Sequence, residues 1–190
     1  MPPPNPTTKE APQHTSPLGT PIRHITTHDP STGLGTFSTV LPPQLPTFSL
    51  SPTLLGFDGY RTLSQPITMT DDEDLAAVGA APPADIWFPT AGESLVRYCD
   101  WGPGAEVPMH RSETVDFGVL LCGEMELTLD GGEARVIRAG ELIVQRGTLH
   151  AWRNPSETVW ARGLFFLLGA NPVRVRGVLK GSEMPWEGNA

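Results

Sequence analysis

The fold of this chain is decided by two stretches, GAEVPMHRSETVD at residues 104–116 and GELIVQRGTLHAWRN at residues 140–154. Each stretch places a potential metal ligand after a glycine turn, on a segment rich in strand-forming residues. Together they supply the imidazoles of His110 and His150 and the carboxylate of Asp116. If the fold brings the stretches together, this set is sufficient for a metal site with two histidines and one carboxylate.

From residue 94 onward the sequence predicts short strands separated by glycine turns. Residues 124–129 alternate apolar and polar side chains with a period of two, and Asp130-Gly131-Gly132 follows as a hairpin turn. Short strands at such regular intervals indicate a β-sandwich or barrel. The expected strands cover residues 94–101, 115–122, 124–129, 134–138, 141–145, 148–153 and 158–168.

The first half of the chain has a weaker pattern. Residues 1–18 contain six prolines and few apolar residues, which predicts a disordered tail. Residues 19–92 are expected to form an extension whose strands and loops pack on the barrel. Strands are predicted at 21–27, 34–41 and 54–63, a helix start at the acidic residues 71–74, and a linker at 81–84. An acidic metal-binding loop is the alternative for 71–74. The barrel is expected over 93–172, followed by a C-terminal tail over 173–190 that begins as an outer strand or short helix.

Charge and composition exclude several classes of partner. The formal net charge of −8 would repel phosphate backbones, so no nucleic-acid partner is expected. No apolar run is long enough to cross a bilayer, and the first residues lack the pattern of a secretory signal. We therefore expect a cytoplasmic protein without a membrane partner. Its two cysteines, Cys99 and Cys122, are expected to be buried, reduced thiols.

The first stretch resembles the cupin family. The first cupin motif has the form G-x5-H-x-H-x3,4-E-x6-G, and Gly104, His110 and Gly123 stand at its glycine and first histidine positions. Asp116 occupies the glutamate slot and Ser112 the second histidine slot. Ser112 is the main departure from the family pattern, because a third imidazole normally stands there.

The second stretch resembles the other cupin motif, G-x5-P-x-G-x2-H-x3-N. Gly140, Gly147, His150 and Asn154 match it, with one residue fewer between the glycines and Gln145-Arg146 in place of the proline. The resemblance implies an all-β fold, a double-stranded β-helix or jelly-roll (cupin) barrel. More loosely, residues 22–170 resemble small single-domain cupins of fungal-type secondary-metabolite biosynthesis, often described as cupin-type oxidoreductases. The family also implies a homodimer.

The candidate catalytic residues are His110, Asp116 and His150. His110, Ser112 and Asp116 lie at even offsets, so one extended strand would direct all three to one face. In a cupin that face lines the barrel, and His150 comes from a facing strand. The resemblance makes the three candidates ligands of a divalent Fe, Mn, Ni or Zn ion. A metal-free site with histidine as general acid and base, oriented by Asp116, is a second interpretation. In the third interpretation, the three residues have no catalytic role and are polar groups whose hydrogen bonds are satisfied within a degenerate barrel.

Five further residues are candidates for substrate binding: Arg97, Ser112, Gln145, Arg146 and Trp152. Arg146 could bind a carboxylate or phenolate, or form a surface ion pair. Trp152 should share the face of His150 and could form a pocket wall or ordinary core. Arg97 and Tyr98 point to opposite faces of one strand, so at most one of them lines the barrel.

These observations and the resemblance favour an enzyme acting on a small, largely apolar organic molecule, such as a polyketide-like intermediate. Metal-assisted oxidation is the first hypothesis. The second is a non-redox dehydration, decarboxylation, isomerisation or cyclisation, with or without metal. The third is a cupin that binds a small molecule without catalysis.

Overall fold

The structure is a computed structural model that describes residues 16–80 and 87–185. The predicted disordered tail, residues 1–18, lies outside the described residues except for its last three, and the predicted linker at 81–84 lies outside them entirely. Within the short overlap Ser16 is buried. The carbonyl oxygen of Leu18 accepts a hydrogen bond from Arg162, 3.4 Å long, which ties this segment to the barrel.

The described part of the chain is built mainly from strands. In chain order they are β1 (Thr26–His28), β2 (Gly35–Phe37), β3 (Thr47–Ser51), β4 (Leu54–Thr62), β5 (Ser94–Trp101), β6 (Glu106–His110), β7 (Thr114–Cys122), β8 (Glu124–Leu129), β9 (Ala134–Arg138), β10 (Leu142–Arg146), β11 (His150–Arg153), β12 (Ala161–Gly169), β13 (Val173–Val175) and β14 (Val178–Lys180). A short helix, α1 (Glu73–Ala80), stands between β4 and β5 and confirms the helix predicted at the acidic cluster.

Two antiparallel sheets form a jelly-roll-like sandwich. The larger sheet has the order β10-β7-β12-β5-β4-β3, and the smaller has the order β6-β11-β8-β9. Their inner faces share one apolar core, in which Trp101 and Leu120 of the larger sheet meet Met125 and Trp152 of the smaller one. The predicted all-β jelly-roll fold is therefore confirmed.

The predicted strand bounds are most accurate where apolar and polar residues alternate between glycine turns. The strands expected at 94–101, 124–129 and 134–138 have those bounds in the structure. The strands expected at 21–27 and 34–41 were predicted too long. They shorten to β1 and β2, which pair only with each other across the turn between His28 and Gly35.

Two strands were not predicted, β3 and β6. β6 contains Pro108, which cannot donate a backbone hydrogen bond and normally argues against a strand. Because β6 lies at the edge of its sheet, the missing donor can be accommodated there. β3 lies at the edge of the larger sheet, at the end opposite β10, and pairs with β4. The N-terminal extension therefore continues the barrel sheet.

The C-terminal segment begins with an outer hairpin, β13–β14, as one of the two alternatives predicted. The hairpin leads to Glu183, whose backbone pairs with that of Arg111 in the connection between β6 and β7. No helix among the described residues is long and apolar enough to cross a membrane.

Candidate active site

A cavity of about 720 Å³, its open mouth included, lies between the two sheets. Its walls are largely aromatic and aliphatic, with a few polar side chains gathered together, the usual make-up of a site for a small organic molecule. The polar lining residues are Arg97, His110, Ser112, Asp116, Gln145 and His150. The aromatic ones are Phe48, Phe88, Trp101, Trp152 and Phe165.

His110 and His150 form a pair of adjacent imidazoles. His110 ends β6 and His150 begins β11, and the two residues stand directly opposite each other in the same sheet. Their ring centroids are 4.1 Å apart. His150 therefore comes from a neighbouring strand, and the prediction of a facing strand is wrong, because β6 and not β7 carries His110.

Both imidazoles are held by the same local contact. Nδ1 of His110 lies 2.9 Å from the carbonyl oxygen of Pro108, and Nδ1 of His150 lies 2.9 Å from that of Thr148. Because a carbonyl oxygen only accepts, each Nδ1 donates, and each neutral ring keeps its lone pair on Nε2. Burial lowers the pKa of His110. Burial, together with the repulsion that a protonated His110 would exert, lowers the pKa of His150 to about 3. Both rings are therefore neutral near pH 7.

Asp116 faces the imidazole pair from the other sheet. It lies on β7, so the predicted single strand carrying His110, Ser112 and Asp116 is wrong. The chain leaves the strand conformation between the two, where the backbone of Arg111 pairs with Glu183. All three predicted residues nevertheless line the cavity.

The carboxyl group of Asp116 is buried and only partly satisfied. Burial raises its pKa to about 6, against the opposing effects of a hydrogen bond from Thr114 and the charge of Arg97. Its Oδ1 has no hydrogen-bond partner among the described residues. A carboxyl group of this kind titrates near neutral pH and can serve as either acid or base.

Gln145 joins the two sides of the cavity. On β10 it stands opposite Asp116 across the strand pair, and its side-chain amide contacts both nitrogens of the His150 ring. The amide nitrogen can donate to the Nε2 lone pair of His150. Gln145 was predicted to bind substrate, and the structure gives it a contact with His150 as well as a place in the cavity wall.

The other substrate-binding candidates divide between the cavity and the outside. Ser112 is buried in the cavity wall and hydrogen-bonds Thr114, with 2.6 Å between the hydroxyl oxygens. Trp152 serves as both pocket wall and core, with its ring centroid 6.2 Å from Trp101. Arg146 is exposed and lies outside the cavity, because it follows the inward-facing Gln145 on a strand.

Arg97 lines the cavity, but its guanidinium is already paired. Nε donates to Asp58 at 2.7 Å, and Nη2 donates to the Trp87 carbonyl at 2.9 Å. Cys99 and Cys122 are free thiols, as predicted, but they are half-buried and not buried. Cys99 lines the cavity, and burial raises its pKa to about 12, so it is a neutral thiol.

The predicted metal ligands do not form a complete ligand set in this arrangement. An open catalytic metal centre usually has three protein ligands. In the parts of the chain that the structure describes, no three His, Cys, Asp or Glu side chains are close enough to hold a metal ion. The imidazole pair supplies two. Asp116 is one methylene shorter than the glutamate of the cupin motif and is hydrogen-bonded by Thr114, so its carboxyl group does not complete the set.

Five cavity residues of the N-terminal extension were not predicted from the sequence: Phe48, Leu50, Leu54, Leu55 and Phe88. A signal was present at residues 47–50, where polar and apolar residues alternate as in a strand. The prolines before it obscured that short pattern.

Comparison with known proteins gives the same family. The cupin domain model matches residues 97–165. Phomopsin biosynthesis cluster protein D of Diaporthe leptostromiformis is 41% identical over 91% of this chain and 89% of its own length. The cupin-domain-containing oxidoreductase fogC of Aspergillus ruber is 34% identical over 82% of this chain and 76% of its own.

Solved structures align over shorter stretches. An oxalate oxidase in complex with the substrate analogue glycolate is 27% identical over 42% of this chain and 44% of its own, with a TM-score of 0.36. The extent of the two sequence matches, together with the cupin domain match, establishes the relationship. This chain belongs to the cupin-domain family, with relatives that include biosynthesis-cluster proteins and cupin-domain-containing oxidoreductases of fungi.

Proposed function

We propose that this protein is a cupin-type oxidoreductase that acts on a small, largely apolar organic intermediate of a biosynthesis cluster. The reaction class is supported by relatives named cupin-domain-containing oxidoreductases, and the setting by relatives named biosynthesis cluster proteins. The apolar walls of the cavity suit a molecule of this kind.

The single observation that carries a catalytic role is the neutral imidazole pair at the polar end of the cavity. With dioxygen as oxidant, oxidation at a C–H or O–H bond passes two electrons to the oxygen and releases protons from the substrate, and the Nε2 lone pair of His110 can accept one of them. The carbonyls of Pro108 and Thr148 fix the orientation of both rings before substrate binds. A metal-assisted form of the reaction would need Asp116 to move towards the imidazoles.

A second candidate function is a non-redox proton transfer, such as an isomerisation, dehydration, decarboxylation or cyclisation. It is favoured by the carboxyl group of Asp116, whose pKa of about 6 allows it to donate or accept a proton near neutrality. An imidazole base and a carboxylic acid on opposite walls of one cavity can remove a proton and return it elsewhere on the same molecule.

The decisive experiment uses the compound that accumulates when the gene is deleted. Extract of the deletion strain is incubated with the purified protein in air and under strict anaerobiosis, and the products are analysed by mass spectrometry. Loss of two hydrogens or gain of oxygen supports the oxidoreductase. An isomer, or loss of water or CO₂, supports the second candidate. If the compound binds but returns unchanged, both are wrong and the protein is a binding module.

Single substitutions separate the residues involved. His110→Ala and His150→Ala should each abolish conversion, whereas Arg146→Ala, outside the cavity, should retain it.

Elemental analysis after exposure to Fe(II), Mn(II), Ni(II) and Zn(II) tests whether the protein binds a metal ion. Stoichiometric metal that is lost in Asp116→Asn would support the metal-assisted form and contradict a metal-free acid–base site.

A further inference from the structure

A second cavity lies beside the active-site cavity, in the N-terminal extension. It encloses about 1220 Å³, its open mouth included, between the β3–β4 edge of the larger sheet and α1. The role proposed for the imidazole pair does not involve this cavity. Its lining includes Arg23, Leu41, Leu45, Phe48, Arg61 and Val78.

Phe48 separates the two cavities. Among the described residues it is the one side chain that lines both. The ion pair beside it completes the boundary, because Arg97 lines the active-site cavity while its partner Asp58 lines the second one. The partition therefore consists of one aromatic ring and one ion pair, in which Arg97 is buried and Asp58 half-buried.

The Phe48 ring is held in this position from two sides. A Cβ atom at Gly56 would lie 2.0 Å from its Cζ, so only glycine at position 56 allows the ring to lie against β4. The guanidinium carbon of Arg97 lies 4.7 Å from the ring centroid, a cation–π distance. β3 is the edge strand of its sheet, so within the described residues it pairs with β4 alone.

The second cavity combines apolar walls with positive charge. Leu41, Leu45 and Val78 supply apolar surface. Arg23 donates to the carbonyl oxygens of Pro42 and Gly59, which leave its charge uncompensated, and neither it nor Arg61 forms an ion pair within the described residues. This chemistry suits a carboxylate at the end of an apolar chain.

We propose that Phe48 is a specificity-determining residue that sets the length of ligand the active-site cavity accepts, and that the space behind it is a latent subsite for an apolar chain ending in a carboxylate. The proposal builds on the cavity of the proposed function but concerns binding alone. A binding experiment can therefore contradict the proposal while turnover is intact, or support it where turnover is absent.

The test compares binding of 8-phenyloctanoate to the wild type and to Phe48→Ala by isothermal titration calorimetry. The phenyl group suits the aromatic walls, and the long methylene chain gives the carboxylate a reach that a short acid lacks. Removing the ring should tighten binding at least about tenfold, which corresponds to burial of roughly two more methylene groups. Binding of the short probe phenylacetate should change less than about threefold, because it is too short to use the space behind Phe48.

A second pair of measurements tests the positive charge. In the Phe48→Ala background, Arg61→Gln should weaken 8-phenyloctanoate binding by about tenfold but leave 8-phenyloctan-1-ol unaffected, because only the acid carries a charge. Phe48→Leu keeps an apolar side chain of intermediate length and should give an intermediate affinity. Thermal unfolding of each variant verifies that the fold is intact.

Two results would overturn the proposal. If folded Phe48→Ala and Phe48→Leu both bind the long acid with wild-type affinity, Phe48 does not limit ligand length. If Phe48→Ala tightens the binding of the long acid and of the long alcohol equally, and Arg61→Gln changes neither affinity, the subsite does not recognise a carboxylate.

Discussion

His110 and His150 are positioned by the same backbone geometry, since each Nδ1 contacts the carbonyl oxygen two residues earlier. Their environments differ on the other side of the ring. Gln145 contacts His150, and burial lowers the pKa of His150 to about 3. The sequence could identify the two histidines from their motif positions. It could not predict that Gln145 would contact one of them, because that contact depends on how β10 and β11 approach each other.

At the scale of single residues, the clearest prediction concerns Asp116. Its folded pKa of about 6 lies above the ordinary value of 3.8, so ionisation is easier in the unfolded chain. Asp116 therefore favours the folded state at low pH, and this contribution is lost as the pH rises through about 6. Asp116→Asn removes the buried charge and should stabilise the protein by up to about 3 kcal/mol at pH 8.

The measurement is urea unfolding of both proteins at pH 8 and pH 4. At pH 4 the advantage of the asparagine should nearly vanish, because the wild-type carboxyl group is then largely protonated. Glu157→Gln, at an exposed position, should show no such pH-dependent difference. An Asp116→Asn variant that is less stable than the wild type at pH 8 would mean that the carboxylate is stabilised by a partner such as a cation.

At the scale of elements, Gly123 is the point where the chain passes from β7 to β8 and thus from one sheet to the other. Its φ is +77°, and a Cβ there would lie 2.7 Å from the Cα of Ala161 on β12. Gly123→Ala should therefore destabilise the fold by about 2–4 kcal/mol, through both backbone strain and a clash with main-chain atoms. Chemical denaturation gives the difference in unfolding free energy.

Gly131 supplies the matched control, because it lies in the β8–β9 turn without a positive φ and with nothing within 4 Å of an added Cβ. Gly131→Ala should change stability by less than about 0.5 kcal/mol. Equal effects of the two substitutions would show that β12 does not pack against Gly123 as the structure has it.

Asn154 holds three strand ends together. Its Nδ2 donates to the carbonyl oxygens of Trp101, Gly102 and Val159 at 3.0, 3.0 and 2.8 Å, and its Oδ1 accepts from the backbone of Ser156. The side chain is fully buried. Asn154→Ala should cost about 3 kcal/mol of stability, because buried carbonyls lose their donor. Thermal unfolding should show a clear loss for this variant and almost none for Asn171→Ala, which is exposed.

These element-scale features explain what the sequence could predict. Gly123 and Asn154 stand at motif positions and meet local needs there: Gly123 allows a positive φ, and Asn154 hydrogen-bonds buried carbonyl oxygens. The fold was therefore predictable from these positions together with the alternating strands. The active-site wall around Phe48 was not, because it depends on β3 pairing with β4 far from the motifs. The arrangement of His110 and Asp116 was mispredicted because even spacing assumes an unbroken strand, and the backbone pairing of Arg111 with Glu183 interrupts it.

At the scale of the whole molecule, the described residues cover the outer face of the larger sheet on one side only. Leu45 of the N-terminal extension packs on Phe57 and Tyr98, which covers β4 and β5. Across β10, β7 and β12, in register, Val144, Phe117 and Phe166 form one apolar row, and Leu142, Val119 and Leu164 form the next. A contiguous apolar surface of this kind is typical of an interface between subunits.

We therefore expect the protein to form a homodimer through the face of β10, β7 and β12. Phe117, 40% exposed near the middle of this face, should act as an anchor, since burying two copies removes aromatic surface from water. Sedimentation velocity should give a dimer for the wild type. Phe117→Lys should weaken association by at least about 30-fold, because it places a charge in the centre of the interface.

Phe37→Lys is the matched control, because Phe37 is 69% exposed on β2, away from this face, and its variant should remain dimeric. A wild type that sediments as a monomer, or a Phe117→Lys variant that stays dimeric, would contradict this assignment of the interface.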